Sequence, residues 1–230
     1  MEKLYNGFTL DIPKEAFPLG TDSMALSGFV KLPRNARVLD LGAGPGTLGV
    51  LLCAKDAGCH VTGIERCEIS HAAAEKNARE NHLQDRLRSL RCDVLDMQKV
   101  IAPGSFDIVI TNPPYFSGGF ESLAHGPARQ ETDCSLADFV NQAARALKYG
   151  GDFYIVYRPQ RLGELIGCCA AVKLEPKRLC LLRHKEGGPV TLVLLSCRKG
   201  GKPGLLWEEA ALQQADGTPT AYYKELYHLK

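Results

Sequence analysis

The residues with the clearest chemical potential stand at 111-TNPPYFSGG-119, directly after the apolar run FDIVI. Pro113 and Pro114 lack a backbone N–H, so a strand cannot simply continue through them. Asn112 precedes a proline, which drives its backbone toward extended geometry. The product is a stiff ledge presenting one side-chain amide, carbonyls without competing amide donors, and the ring of Tyr115. Such a ledge suits a flat group bearing an NH₂. The plainer alternative is a strand closed by a turn.

A second constellation is D-L-G-A-G-P-G at 40–46, between the short apolar run ARVLDL and a helix-like segment. Gly42, Gly44 and Gly46 let the backbone turn sharply and approach a ligand closely. Residues 44–49, G-P-G-T-L-G, also satisfy the dinucleotide pattern, and Glu65 follows about 20 residues on, as that pattern requires. A nicotinamide cofactor and S-adenosylmethionine are both compatible with that much. Three details favour S-adenosylmethionine. Asp40 can hold a cationic amino group but would repel a pyrophosphate. Pro45 removes an N–H that a phosphate cradle would use. Asp93, closing the third strand, can accept from an adenine amino group. Glu65 would take the ribose hydroxyls with either cofactor.

These residues need elements to hold them. From residue 36 on, strand-like segments (36–41, 60–65, 87–94, 105–112, 151–158, 177–183 and 190–198) alternate with helix-like ones (47–58, 67–82, 133–150 and 161–172). The last two strands flank H-K-E-G-G-P and read as an antiparallel hairpin. The pattern predicts an α/β doubly wound, mostly parallel seven-stranded sheet with a C-terminal antiparallel hairpin. Such a sheet binds ligands at the C-terminal ends of its strands, which gathers Asp40, Glu65, Asp93 and Asn112 on one rim. The expected organisation is one domain over 1–230: a lead-in at 1–35, a catalytic core at 36–198 and a tail at 199–230. Thr21, Asp22 and Ser23 read as a helix cap ahead of SMALSGFV, with cofactor contact as a second role. Trp207 reads as packing.

The chain has 230 residues, 45% of them hydrophobic, with 28 basic against 26 acidic side chains, so net charge gives no nucleic-acid signal. No apolar run approaches the ~20 residues that cross a bilayer, and the first residues lack a signal-peptide layout. Nine cysteines, with no C-x-x-C pair and with Cys168 adjacent to Cys169, suit reduced, mostly buried thiols in the cytoplasm and no metal site.

D-L-G-A-G-P-G, the strand-end Glu65 and N-P-P-Y together resemble the class I S-adenosylmethionine-dependent methyltransferases that act on amino groups, whose fold is Rossmann-like. The resemblance implies catalytic roles for Asn112, Pro113, Pro114 and Tyr115. In that group the Asn side-chain oxygen and the first Pro carbonyl accept both hydrogens of the target NH₂, and the aromatic ring stacks on its plane. It also implies cofactor contacts from Asp40, Gly42, Gly44, Gly46, Glu65, Asp93 and Asn112. FPLGTDSMALSGFV (17–30), GPARQE (126–131), YRPQRL (157–162), LEPKRL (174–179) and GGKPGL (200–205) are similar to segments of the bacterial tRNA adenine-N6 methyltransferases that act beside the anticodon of a valine tRNA. That implies a tRNA or other structured RNA substrate; no obligate protein partner is evident in the sequence.

Residues 151–204 hold ten basic and four acidic side chains, a local excess of +6. A basic stripe there, with Arg158, Arg161, Lys199 and Lys202, could position RNA through its phosphates; a merely solvated basic surface is the alternative. Residues 116–129 read as a lid, and Arg129 could clamp a phosphate or order that lid. Other planar amines (a protein glutamine amide, guanine in ribosomal RNA, adenine in DNA) remain open as targets. More distant alternatives are a nicotinamide oxidoreductase and a non-catalytic RNA-binding protein.

Overall fold

A computed structural model describes residues 2–114 and 134–229. Tyr115, the 116–129 segment and Arg129 therefore lie outside the described residues. The chain opens with a small antiparallel pair, β1 (Glu2–Lys3) and β2 (Thr9–Leu10), then α1 (Thr21–Phe29). Next come β3 (Arg37–Leu41), α2 (Thr47–Lys55), β4 (His60–Glu65), α3 (Glu68–Glu80), β5 (Leu87–Arg91) and β6 (Phe106–Thr111). The second half carries α4 (Leu136–Ala146), β7 (Leu147–Tyr157), α5 (Leu162–Ala171), β8 (Leu174–Lys185), β9 (Val190–Lys199), β10 (Leu206–Gln213) and α6 (Ala221–Leu226).

Among the described residues the main sheet has eight strands in the order β10-β8-β9-β7-β6-β3-β4-β5, and only β9 runs against the rest. The doubly wound, mostly parallel α/β architecture is as the sequence implies, with one strand more. The extra strand comes from the segment expected to be a tail: LWEEAALQ pairs in parallel with β8, Trp207 beside Leu179. Because β10 is an edge strand, Trp207 is 66% exposed rather than packed.

Both faces of the sheet are covered, so its central strands are apolar on both sides. Val38, Ile108, Ile110, Val156 and Leu194 point into one core with Leu26, Leu51 and Leu226 of α1, α2 and α6. Their neighbours Leu39, Val109, Ile155 and Leu195 point into the other, with Phe139 and Val140 of α4 and Leu165 of α5. A period of two along each strand divides the side chains between the two layers.

Two boundaries differ from expectation. The helix over 133–150 stops at Ala146, because Leu147 pairs with Phe106 and is buried in the second core. Gly150 (φ +80°) does not end the helix; it sits where the β6–β7 register shifts, a bulge that only a residue at ease with positive φ makes cheaply. At the N-terminus, α1 begins after Gly20 with no side-chain cap. Asp22 Oδ1 accepts from the Ser23 N–H (2.8 Å), which places Ser23 inside the first turn.

The chain leaves β3 for β4 and β5 on one side, then returns to place β6 on the other side of β3. The switch between β3 and β6 is where a doubly wound sheet opens a crevice at its strand ends. The glycine loop follows β3, and Asn112 follows β6.

Candidate active site

Asp40 lies in β3, between Gly63 of β4 and Ile110 of β6. It is 1% exposed, and neither carboxylate oxygen has a hydrogen-bond partner among the described residues. Burial, reinforced by the nearby Glu65 charge, pushes its pKa up to about 8. A buried carboxylate is costly unless a cation or donors meet it. A cation or donor reaching it would offset that cost.

The glycine loop is held from beneath. Gly42 N–H and Ala43 N–H both donate to the Ile64 carbonyl (2.9 and 3.0 Å). Gly44 N–H donates to Glu65 Oε2 (2.8 Å), and Cys67 N–H donates to Glu65 Oε1 (2.7 Å). Glu65 thus ties the loop to the start of α3 while each oxygen keeps a further lone pair for a ligand. Gly44 has φ +55°, and a Cβ built there meets no atom within 4 Å. At that position the loop leaves open space.

Asp93 lies two residues past the end of β5, where it caps a 3-10 turn: Oδ1 accepts from Leu95 N–H (2.9 Å). Its Oδ2 stands 3.7 Å from the Arg66 guanidinium in an exposed pair. Asp93 is therefore anchored at the rim by one oxygen, with the other facing Arg66.

Asn112 leaves β6 where Thr111, fully buried, donates from Oγ1 to the Leu41 carbonyl (2.7 Å). That bond joins the end of β6 to the end of β3, so the ledge and the glycine loop form one rigid corner. Asn112 Nδ2 donates to Ser23 Oγ (3.1 Å). The amide hydrogens turn toward α1, and Oδ1 remains the acceptor. Pro113 is buried and Pro114 half-buried, which fixes the backbone that carries them.

Three contacts were not foreseen from the sequence pattern. Ser23, expected as part of a helix cap or a cofactor contact, meets Asn112 instead, and Thr111 is the second. The third is Asn77 of α3, 0% exposed, whose Nδ2 donates to the Pro45 carbonyl of the glycine loop (2.9 Å) and to the Asp11 carbonyl (3.0 Å). Its Oδ1 accepts from Asp11 N–H (2.8 Å). Asn81, one turn on, pairs in the same way with both backbone groups of Thr9. Two amides at i and i+4 thus imitate a strand edge and dock the lead-in beside the loop. The run N-A-R-E-N is the only local signal for it.

The basic stripe does not stay together. Every strand except β9 points to the rim, so Arg158 and Arg161, just past β7, lie near the Asn112 end. Arg161 makes a two-pronged pair with Glu164 (2.7 and 2.6 Å) and lies 5.4 Å over the Tyr157 ring. Lys199 closes antiparallel β9 and Lys202 follows it, so both fall at the opposite end of the sheet. Ten residues of β9 separate them from the rim, about 30 Å at ~3.3 Å per residue. Lys199 Nζ donates to the Leu147 carbonyl (2.8 Å), and the Lys202 carbonyl accepts from Lys177 Nζ (2.9 Å). These two lysines do not share a surface with the glycine loop.

Comparison with known proteins places this arrangement. The chain matches the methyltransferase small domain family over residues 20–166. It is 29% identical to a tRNA1(Val) (adenine(37)-N6)-methyltransferase of Mannheimia succiniciproducens, over 79% of this chain and 80% of that one. An Actinobacillus pleuropneumoniae protein of the same name is 25% identical over 96% of this chain and 93% of its own length. Among solved structures, a predicted O-methyltransferase from Agrobacterium tumefaciens superposes with TM-score 0.76 at 23% identity, covering 90% of this chain and 96% of that one. The T. thermophilus 16S rRNA guanine-N2 methyltransferase, in complex with AdoMet and guanosine, gives TM-score 0.61 at 24% identity, covering 86% of this chain and 49% of that one. At those identities the two structures speak for the fold. The family match spans more than half of the chain and includes the glycine loop and the Asn112 ledge: the chain belongs to the methyltransferase small domain family.

Proposed function

We propose that this protein transfers a methyl group from S-adenosylmethionine to the exocyclic N6 of an adenine in tRNA, beside the anticodon. The observation that carries the reading is the Asn112–Pro113 ledge, joined by Thr111 to the strand that opens the glycine loop. The names of the bacterial relatives support the tRNA adenine, and a tRNA substrate is consistent with a cytoplasmic reaction.

The residues fit the cofactor. The Asp40 carboxylate, without a hydrogen-bond partner among the described residues, would meet its ammonium group, the remaining lone pairs of Glu65 would take the ribose hydroxyls, and the Asp93 oxygen that faces Arg66 would accept from its adenine amine. Gly44 leaves the close approach open, while Gly42 and Gly46, at positive φ, shape the turn against Phe139 and Ala74. When bound, S-adenosylmethionine supplies an electrophilic methyl carbon on a sulfonium centre.

An amine conjugated to a purine ring is a weak nucleophile, because its lone pair is delocalised. Asn112 Oδ1 and the Pro113 carbonyl accept its two hydrogens and turn the lone pair out of conjugation, toward the loop. Tyr115 stacks on the base, and Pro114 keeps that part of the ledge stiff. The rate enhancement comes from orientation and preorganised dipoles. As the amine nitrogen gains its new bond it becomes acidic, and its proton leaves to a ledge carbonyl or water. An anticodon loop offers splayed, unstacked bases that reach such a ledge at low cost. Arg158, Arg161 and Arg129 would meet its phosphates.

The test is incubation with methyl-labelled cofactor and total tRNA, then digestion to nucleosides. Label in N6-methyladenosine is expected. Label in another nucleoside, or none, overturns the assignment.

A further inference from the structure

We infer that Ser23 is a positioning residue for the methyl transfer: its hydroxyl orients the Asn112 side-chain amide so that Oδ1, not Nδ2, faces the target amine. This rests on the function proposed above, and it assigns a job to a residue outside the N-P-P-Y ledge.

Ser23 lies in the first turn of α1 and is buried, 89 residues before Asn112 in sequence. Its backbone N–H is already engaged by Asp22, which leaves Oγ to face the ledge. Asn112 Nδ2 donates to that Oγ at 3.1 Å. The terminal torsion of an Asn is broad and roughly two-fold, so backbone restraint from Pro113 alone does not decide which end of the amide points out. With Oδ1 outward, an acceptor meets the amine hydrogens. With Nδ2 outward, donor faces donor and the amine is turned away.

The contact also acts selectively during the reaction. As the amine nitrogen takes on positive charge, its hydrogens pull harder on Oδ1. That polarises the amide and makes Nδ2–H a stronger donor to Ser23, by hydrogen-bond cooperativity. The bond is therefore stronger in the transition state than in the substrate complex, and its loss falls on kcat rather than on binding.

The experiment is Ser23→Ala in the full chain, assayed on tRNA beside the unmodified protein. Cofactor affinity is measured by calorimetry, and the Asn112 side-chain amide is followed by ¹H–¹⁵N NMR. We expect kcat to fall about tenfold, cofactor Kd to stay within about twofold, and the Asn112 Nδ2 hydrogens to lose exchange protection. Unchanged kcat, or Nδ2 hydrogens as protected as before, overturns the inference while leaving the methyltransferase assignment intact. Equal losses in kcat, cofactor affinity and melting temperature make Ser23 a structural residue and overturn it as well. A wild-type chain that methylates no RNA removes the function itself, and the inference with it.

Discussion

Replacing Asp40 with Asn exchanges stability for function, with a sign that follows from its burial. The Asp40 carboxyl is sealed from water, has no hydrogen-bond partner among the described residues, and is raised from 3.8 to about 8. The unfolded chain ionises near the lower value, so the folded state holds an extra proton between the two. The cost is absent below the unfolded pKa, grows as pH rises from about 4, and levels off above about 8. At pH 7 it spans roughly three pH units, or about 4 kcal/mol at ~1.4 kcal/mol per unit. Asn removes the charge but buries an equally partnerless amide, which returns about 1–3 kcal/mol. A net gain of about 1–3 kcal/mol remains, equivalent to a melting temperature higher by roughly 2–10 °C in a chain of this size. Thermal melts of both proteins from pH 4 to pH 9 measure it: the variant should melt lower near pH 4, where Asp40 is neutral, and overtake the wild type as pH rises. In calorimetry the variant should bind S-adenosylmethionine at least about tenfold more weakly, for want of a charge opposite the ammonium. The wild type should release a proton on binding at pH 7, because the incoming cation pulls Asp40 back to its ionised form. A variant that melts lower at pH 8, or that binds cofactor as well as the wild type, would refute the assignment of Asp40 as an empty cation seat.

Other consequences follow from single contacts. Thr111→Val removes the bond to the Leu41 carbonyl that joins ledge to loop; stability should fall by about 1–2 kcal/mol in urea titration and kcat should drop with it. Asn77→Ala strips three hydrogen bonds from a fully buried amide and frees the Pro45 carbonyl, so unfolding should become easier by about 2–4 kcal/mol and cofactor Kd should rise. In tRNA binding at two salt concentrations, Arg158→Ala should weaken affinity and flatten the salt slope. The Lys199→Ala and Lys202→Ala proteins should match wild type, since those side chains belong to the far end of the sheet.

Much of the fold was legible because its signals are local. Apolar runs such as RVLDL and FDIVI, each closed by Gly or Pro, mark strands without any knowledge of their neighbours. The switch point then follows from the order of strands, and with it the shared rim of Asp40, Glu65 and Asn112. What escaped depends on partners distant in sequence. Leu147 reads as helix by its neighbours and becomes strand because Phe106 offers an unpaired edge. Gly150 carries the same signal for a helix stop and for a bulge. Residues 206–213 hold two glutamates and an exposed Trp, and nothing in them announces that β8 has a free edge. The basic stripe looked continuous because it was counted along the chain; one antiparallel strand was enough to send half of it about 30 Å away. Ser23, Thr111 and Asn77 touch the site across 89, 70 and 32 residues, through polar contacts that no periodicity encodes.

The account turns on Asn112 as the acceptor for the target amine. Its most direct measurement is single-turnover methyl transfer to tRNA by Asn112→Ala, with cofactor affinity determined on the same preparation. Transfer should slow by at least about 100-fold while cofactor Kd stays within about threefold. Transfer at the wild-type rate, or a rate loss explained entirely by weaker cofactor binding, would contradict it.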